Sequence, residues 1–344
     1  MADATAVALD LGVVAASVGA LWVGAKLLVE NAARIARRAG LSELVVGLTV
    51  VGFGTSTPEL ATSVDAALVG AGDVAVANVV GSNLFNVGVV LALVGLLNPV
   101  PASRGMIRRD GPVVVGAAVL AAAVVRDGVV ARTEGAVLVA LLAGYVGWLL
   151  ARGGPGDAPD EAADDRPDDA AGDAGEGSTA VAVGPSPGAA TADGGVGRST
   201  LRSAALAVGG LAVILVGANF LVASATDLAR LAGVSEWAIG ETVVAVGTST
   251  PEIAASVVAA RRGNSDIAAG NLLGSNVFNA LGILGVAAVV RPLSVSPVAF
   301  DAAVWLVALS AFVVALLATK GRLTRPEGLV ALAVTLGRWT IDAL

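Results

Sequence analysis

Long apolar runs, separated by short polar or Arg-bearing stretches, recur along the whole chain. They fall at roughly 8–31, 41–68, 73–97, 108–125, 134–151, 203–226, 237–260, 266–290, 297–318 and 326–342. Most reach the length of about 20 residues at which an α-helix crosses a bilayer. None alternates polar and apolar residues, and they are rich in Ala, Val, Leu and Gly, so the pattern predicts helices and not a barrel. The expected fold is an all-α polytopic membrane protein of ten transmembrane helices.

Between the fifth and sixth runs the pattern stops. Residues 152–200 are rich in Asp, Gly, Pro and Ala, with Asp157, Asp160, Glu161, Asp164, Asp165, Asp168 and Asp169 close together. Such a stretch cannot bury a core and is expected to be a disordered acidic linker. Its carboxylates lack the Gly and terminal Glu of an EF-hand loop. The linker supplies most of the net charge of −7, so that charge says little about the membrane part. Even with the linker counted, the whole chain is 56% hydrophobic and only 14% charged, with a mean hydropathy of +0.83. The absence of Cys and His excludes disulfides, thiolate and imidazole metal sites, and histidine proton switches. No basic stretch and cleavage site mark the N-terminus as a signal peptide.

Basic residues orient the spans. One set of flanks holds Arg34, Arg37, Arg38, Arg104, Arg108, Arg109, Arg152, Arg166, Arg198, Arg202, Arg261, Arg262, Lys320, Arg322 and Arg325. The opposite set holds only Arg126, Arg132, Arg230, Arg291 and Arg338. The richer set belongs in the cytoplasm, which puts both termini outside and the linker inside.

One stretch occurs twice. Gly54-Thr55-Ser56-Thr57-Pro58-Glu59 returns as Gly247-Thr248-Ser249-Thr250-Pro251-Glu252, and Gly81-Ser82-Asn83-Leu84-Phe85-Asn86 returns as Gly274-Ser275-Asn276-Val277-Phe278-Asn279. Both recur at an offset of 193 residues, with no gap between Ala39 and Asn86 and more than half of the positions identical. This is an internal duplication. Two five-helix halves follow, 1–151 with a repeat at 39–97 and 201–344 with a repeat at 232–290. An odd number of crossings separates the repeats, so they are expected to run in opposite directions as an inverted-topology pair.

The repeated residues carry the chemistry. Glu59 and Glu252 lie mid-span, where a carboxylate costs about 2.5–3.5 kcal/mol. Apart from Lys26, late in the first run, no basic residue lies mid-span nearby. A bound cation is the simplest partner; a protonated structural Glu is the bland alternative, and two symmetric copies count against it. Pro58 and Pro251 remove a backbone N–H and clash with the carbonyl four residues back. The helices should therefore break near Gly-Thr-Ser and free carbonyls. Thr55, Ser56, Thr248 and Ser249 add hydroxyls. Asn78, Ser82 and Asn86, like Asn271, Ser275 and Asn279, recur every four residues on one helix face. Ser and Asn on a face also serve as helix–helix glue. An all-oxygen cage with two carboxylates suits a hard cation, Ca²⁺ above Mg²⁺, in exchange for Na⁺ or H⁺. A channel remains a remote alternative, and nothing resembles the machinery of an enzyme or calls for a cofactor or nucleic acid. The expected partners are Ca²⁺, Na⁺ and the bilayer, and one copy of the chain suffices to form the site.

At these residues the sequence resembles the cation/Ca²⁺ exchanger superfamily, most closely its microbial Na⁺/Ca²⁺ exchangers, whose two repeats carry G-T-S-x-P-E and G-S-N-x-x-N/D. The resemblance implies a central site of Glu59, Asn86, Glu252 and Asn279, with the two Glu residues on Ca²⁺. It implies flanking Na⁺ sites at Thr55 and Ser82 with Glu59, and at Thr248 and Ser275 with Glu252. Ser56 and Ser249 are the second hydroxyls, and Gly52 and Ala245 stand where the family offers backbone carbonyls. It also makes 8–31 and 203–226 a sliding pair. Some members, including the K⁺-dependent branch, have Asp where Asn279 stands, and the proton-coupled branch usually departs from the first motif. The first point argues against K⁺ co-transport and the second favours Na⁺ over H⁺ as the counter-ion, with Ca²⁺/H⁺ exchange as the alternative.

Overall fold

The computed structural model describes residues 4–97, 100–101, 104–152, 195–233 and 245–342. The acidic run Asp157–Asp169 and the start of the seventh apolar run lie outside the described residues. The described chain is helical: α1 Ala4–Ala39, α2 Glu43–Thr55, α3 Thr57–Val69, α4 Gly72–Leu97, α5 Arg104–Val125, α6 Arg132–Arg152, α7 Gly195–Leu231, α8 Ala245–Thr248, α9 Thr250–Arg261, α10 Ser265–Val290, α11 Pro297–Lys320 and α12 Arg325–Asp342. Among the described residues six helices are long and apolar enough to cross a membrane, and α2 with α3 makes a bent seventh.

Backbone conformation extends the duplication past the shared motifs. Gly40, Gly70 and Gly128 have positive φ, and so do Gly233, Gly263 and Gly321, each 193 residues further on. Gly70, at φ 83°, ends α3 with its N–H on the carbonyls of the last turn, a left-handed cap that a Cβ would strain. Two short strand pairs obey the same offset. β1 (Val100–Pro101) pairs antiparallel with β4 (Arg322–Leu323), and β2 (Val129–Val130) with β3 (Leu293–Ser294). Each pair takes one strand from either half. They cross-link the halves at their rims, with Val130, Leu293 and Leu323 buried beneath them.

Helices α4 and α10 form the centre and are the most buried spans. Small residues let the two halves meet. A Cβ on Gly47 would lie 2.8 Å from the Ile267 carbonyl, and one on Gly270 would lie 2.6 Å from the Leu44 carbonyl. Helices α1 and α7 make the most extensive helix–helix contact. They meet at Gly24 and Gly210, where a Cβ on either would lie 2.7 Å from the other's carbonyl oxygen. Their 36 and 37 residues give about 54 Å at ~1.5 Å per residue, well beyond the ~30 Å hydrocarbon core. The extra turns carry Arg34, Arg37 and Arg38 on α1, and Arg38 reaches α7 at the Ser199 carbonyl (2.7 Å) and Ser203 Oγ (3.0 Å).

Among the described residues, one carboxylate outside the repeats is fully buried. Asp110, near the start of α5, accepts from Arg109 Nε at 2.9 Å and Nη2 at 3.0 Å, and from Tyr145 Oη on α6 at 3.2 Å. This is a satisfied structural cluster. Tyr145→Phe is expected to destabilise the protein by about 1.5 kcal/mol, the value of one hydrogen bond to a charged group, and to leave ion flux unchanged. Thermal unfolding in detergent checks the first and vesicle flux the second.

Candidate ion site

The repeated motifs bend their helices at the middle serine. Ser56 (φ −82°, ψ 14°) separates α2 from α3, and Ser249 (φ −87°, ψ 6°) separates α8 from α9. The axes of α2 and α3 differ by 48°. The break is a bend, and it frees less backbone than the sequence led us to expect. Ser56 N still donates to the Gly52 carbonyl at 3.2 Å, and Leu60 N to the Ser56 carbonyl at 3.1 Å. Pro58 has no N–H for the Gly54 carbonyl, and Thr57 Oγ1 donates to that oxygen instead, at 2.7 Å. The Gly52 carbonyl is engaged from the other half as well, accepting from Ser275 Oγ at 3.1 Å. Ala245 opens α8.

The bend swings Glu59 and Glu252 into the interior, each 0% exposed. Ser56 Oγ donates to Glu252 Oε1 at 2.8 Å, so the first motif holds the carboxylate of the second. The remaining oxygen of Glu252 and both oxygens of Glu59 have no hydrogen-bond partner among the described residues, nor does Ser249 Oγ. Ser249 stands beside Glu59 as Ser56 stands beside Glu252, but only Ser56 is within hydrogen-bond geometry. Asn86 and Asn279 are also fully buried with both amide atoms unpartnered. Each sits in a wide, π-helical turn, Asn86–Val90 in α4 and Phe278–Ile283 in α10. Such turns loosen the backbone ladder and re-aim side chains. Ser82 and Ser275 are buried one turn earlier. Thr55 is fully buried and donates to Asn271 Oδ1 at 3.1 Å, whereas Thr248 is half-buried.

Two members of the serine–asparagine stripes do other work. Asn78 Nδ2 donates to the Glu59 carbonyl (2.9 Å) and to Ser63 Oγ (2.8 Å). Asn271 Nδ2 does the same to the Glu252 carbonyl (3.4 Å) and Ser256 Oγ (2.8 Å). They brace each glutamate-bearing helix against its neighbour. Eight residues separate Asn78 from Asn86, about 12 Å along a helix at ~1.5 Å per residue, so one cage cannot use both. Ser63, Ser256, Asn83 and Asn276 were not singled out by the motif chemistry. Their identity across the repeats was the available signal. Asn83 Nδ2 donates to the Asn276 carbonyl at 3.0 Å and ties α4 to α10.

The result is a buried cluster of oxygens with two carboxylates at its centre. Among the described residues no group of three or more His, Cys, Asp or Glu side chains comes together. A cation here would be held by two carboxylates and neutral oxygens. Burying those carboxylates unpaired would be costly, and the orphaned amide and hydroxyl groups beside them have the chemistry of hard-cation ligands.

The sequence pattern of the sodium/calcium exchanger protein family matches residues 9–151 and 202–335. The chain belongs to the sodium/calcium exchanger family. Within it, the chain is 31% identical over 321 residues to the sodium/calcium exchanger MaX1 of Methanosarcina acetivorans, covering 89% of this chain and 91% of that one. It is 32% identical over 274 residues to the putative antiporter CaxA of Alkalimonas amylolytica, covering 79% of this exchanger and 77% of the relative. The fold is similar to that of the sodium-calcium exchanger NCX_Mj soaked with 10 mM Na⁺ and no Ca²⁺, at a TM-score of 0.75 and 28% identity, over 96% of this chain and 97% of the other.

Proposed function

We propose that this exchanger is a secondary antiporter that moves Ca²⁺ in exchange for Na⁺ by alternating access. The observation that carries the proposal is the pair of buried glutamates, one from each repeat, with three of their oxygens, the Asn86 and Asn279 amides and the Ser249 hydroxyl all buried and unpartnered among the described residues. One Ca²⁺ neutralises both carboxylates, and so do two Na⁺. The empty site would carry two bare charges through the closed state at several kcal/mol each. Only loaded forms cross over, and that couples the two ions.

In this account Glu59, Glu252, Asn86 and Asn279 bind Ca²⁺. Thr55 and Ser82 join Glu59, and Thr248 and Ser275 join Glu252, in the flanking Na⁺ sites, with Ser56, Ser249 and the carbonyls of Gly52 and Ala245 completing the shell. The matched glycines and strand pairs support two five-helix halves of inverted topology and ten spans. Both termini lie outside and the linker inside, as the arginine distribution requires. On that orientation Thr248 is on the outer side of the glutamates and Thr55 on the inner side. Half-buried Thr248 and fully buried Thr55 support a site reached from outside. Helices α1 and α7, joined through glycine contacts, form the sliding gate.

The test is uptake of radiolabelled Ca²⁺ into proteoliposomes loaded with Na⁺, against vesicles loaded with K⁺ or given only a pH gradient. Internal Na⁺ alone is expected to drive uptake. Uptake driven by the proton gradient with no Na⁺ dependence would replace the proposal with Ca²⁺/H⁺ exchange.

A further inference from the structure

A hydroxyl binds a cation through its oxygen lone pairs. Its single hydrogen is repelled by the ion and needs an acceptor elsewhere. Two hydroxyls of the buried cluster hand theirs to the opposite half: Ser56 to Glu252 Oε1 at 2.8 Å, and Ser275 to the Gly52 carbonyl at 3.1 Å. Thr55, fully buried at the end of α2, faces the same demand.

Three acceptors lie in reach of Thr55 Oγ1: the Val51 carbonyl at 3.1 Å, the Gly52 carbonyl at 3.3 Å and Asn271 Oδ1, across the repeat boundary, at 3.1 Å. Val51 sits one turn back in the same helix, where the Thr55 N–H serves its carbonyl through the α-helical ladder. Gly52 already accepts from Ser56 N and Ser275 Oγ, which uses both lone pairs of a carbonyl oxygen. Glu252 stands near Thr55 too, but its carboxylate is what the ion takes. Asn271 Oδ1 has Thr55 as its donor among the described residues. Without that hydrogen a fully buried amide oxygen would be left unpaired, which is costly.

The Asn271 amide cannot turn over to escape this role. Its Nδ2 donates to Ser256 Oγ at 2.8 Å and to the Glu252 carbonyl at 3.4 Å. A flipped amide would set its oxygen against that carbonyl, so the network itself assigns the orientation.

We propose that Asn271 is a positioning residue for Na⁺. Its Oδ1 takes the Thr55 hydrogen and leaves the Thr55 oxygen free to act only as a ligand. Asn271 belongs to the second repeat and Thr55 to the first, and the same amide braces the backbone of Glu252. One side chain therefore ties a Na⁺ ligand of one half to the carboxylate-bearing helix of the other. The proposal rests on Thr55 as a Na⁺ ligand in the function proposed above. Outer groups that orient metal ligands are worth about 10–100-fold in affinity.

The experiment is displacement of bound Ca²⁺ by Na⁺ on the purified full-length exchanger, arranged as a double-mutant cycle. Asn271→Ala removes the acceptor. A loss of about tenfold at one of two Na⁺ sites enters the half-displacing Na⁺ concentration as its square root, a rise of about threefold. In a Thr55→Val background the same change should add less than about 1.5-fold, because the hydroxyl it orients is gone. Wild-type displacement in Asn271→Ala would overturn the proposal. So would an equal further rise in the Thr55→Val background, the mark of a brace alone. Unchanged displacement in Thr55→Val by itself would remove Thr55 from the Na⁺ site, and the proposal with it. Ca²⁺ that Na⁺ never displaces would overturn the Na⁺/Ca²⁺ reading as well. Should Asn271→Ala not fold, a high-resolution map of the Na⁺-loaded wild type decides. Thr55 Oγ1 bonded to both the ion and Asn271 Oδ1 supports the proposal, and a Thr55 hydroxyl turned off Asn271 overturns it.

Discussion

Glu59→Gln and Glu252→Gln each stop Ca²⁺ flux in vesicles while the protein remains folded. Gln keeps the shape of Glu, and at position 252 its amide oxygen can still accept the Ser56 hydroxyl that lies 2.8 Å from Oε1. What it loses is the charge. With one carboxylate gone, a divalent ion in a closed, buried site stays half-neutralised. Removing one partner of a buried charge pair costs about 2–5 kcal/mol, which at ~1.4 kcal/mol per tenfold is about 30-fold to a few thousand-fold in affinity. Stability of the empty protein should hold or rise, since a buried bare charge is replaced by a neutral group. Flux and thermal unfolding on the same preparations separate the two effects. Wild-type flux in either variant would sink the assignment.

The second large effect is structural. Gly270→Val should prevent α2 and α10 from closing on each other. The atoms that a Cβ on Gly270 would meet are the Leu44 carbonyl at 2.6 Å, the Leu48 nitrogen at 2.9 Å and the Gly47 Cα at 3.0 Å, all of them backbone. No rotamer change relieves that clash, so the cost lies at or beyond the ~1–3 kcal/mol of ordinary overpacking. Because α10 carries Ser275 and Asn279 and α2 carries Gly52 and Thr55, any parting of the helices also opens the proposed ion site. Yield of monodisperse protein and its unfolding temperature should both fall sharply. Gly116→Ala, where nothing lies within 4 Å, is the control and should be neutral or gain up to about 1 kcal/mol in its helix. A Gly270→Val protein as stable as that control would contradict the packing account.

The motif residues were legible because the chain states them twice. Two mid-span glutamates with the same flanks leave little room for coincidence, and the Gly-Thr-Ser-Thr-Pro-Glu order predicts the bend found at Ser56 and Ser249. The extent of backbone release was not legible. Proline removes one donor, but whether a neighbouring hydroxyl replaces it, as Thr57 does for Gly54, depends on a rotamer. The split of the stripes into an unpartnered Asn86 and a brace-forming Asn78 was hidden as well. Four-residue spacing places both on one face and says nothing of what faces them. Strand pairs β1–β4 and β2–β3 take two residues each from distant parts of the chain, too short for any periodicity to mark. The apolar runs gave the membrane portions of α1 and α7, and missed the polar turns that carry both helices past the bilayer.

The central claim is that one pair of carboxylates serves both ions. Equilibrium Ca²⁺ binding to the purified exchanger, measured across a series of Na⁺ concentrations with ionic strength held constant by K⁺, tests it most directly. The account predicts that Na⁺ raises the apparent Kd for Ca²⁺ without lowering the number of ions bound at saturation. Ca²⁺ binding that is indifferent to Na⁺, or that loses capacity with no change in Kd, would contradict it.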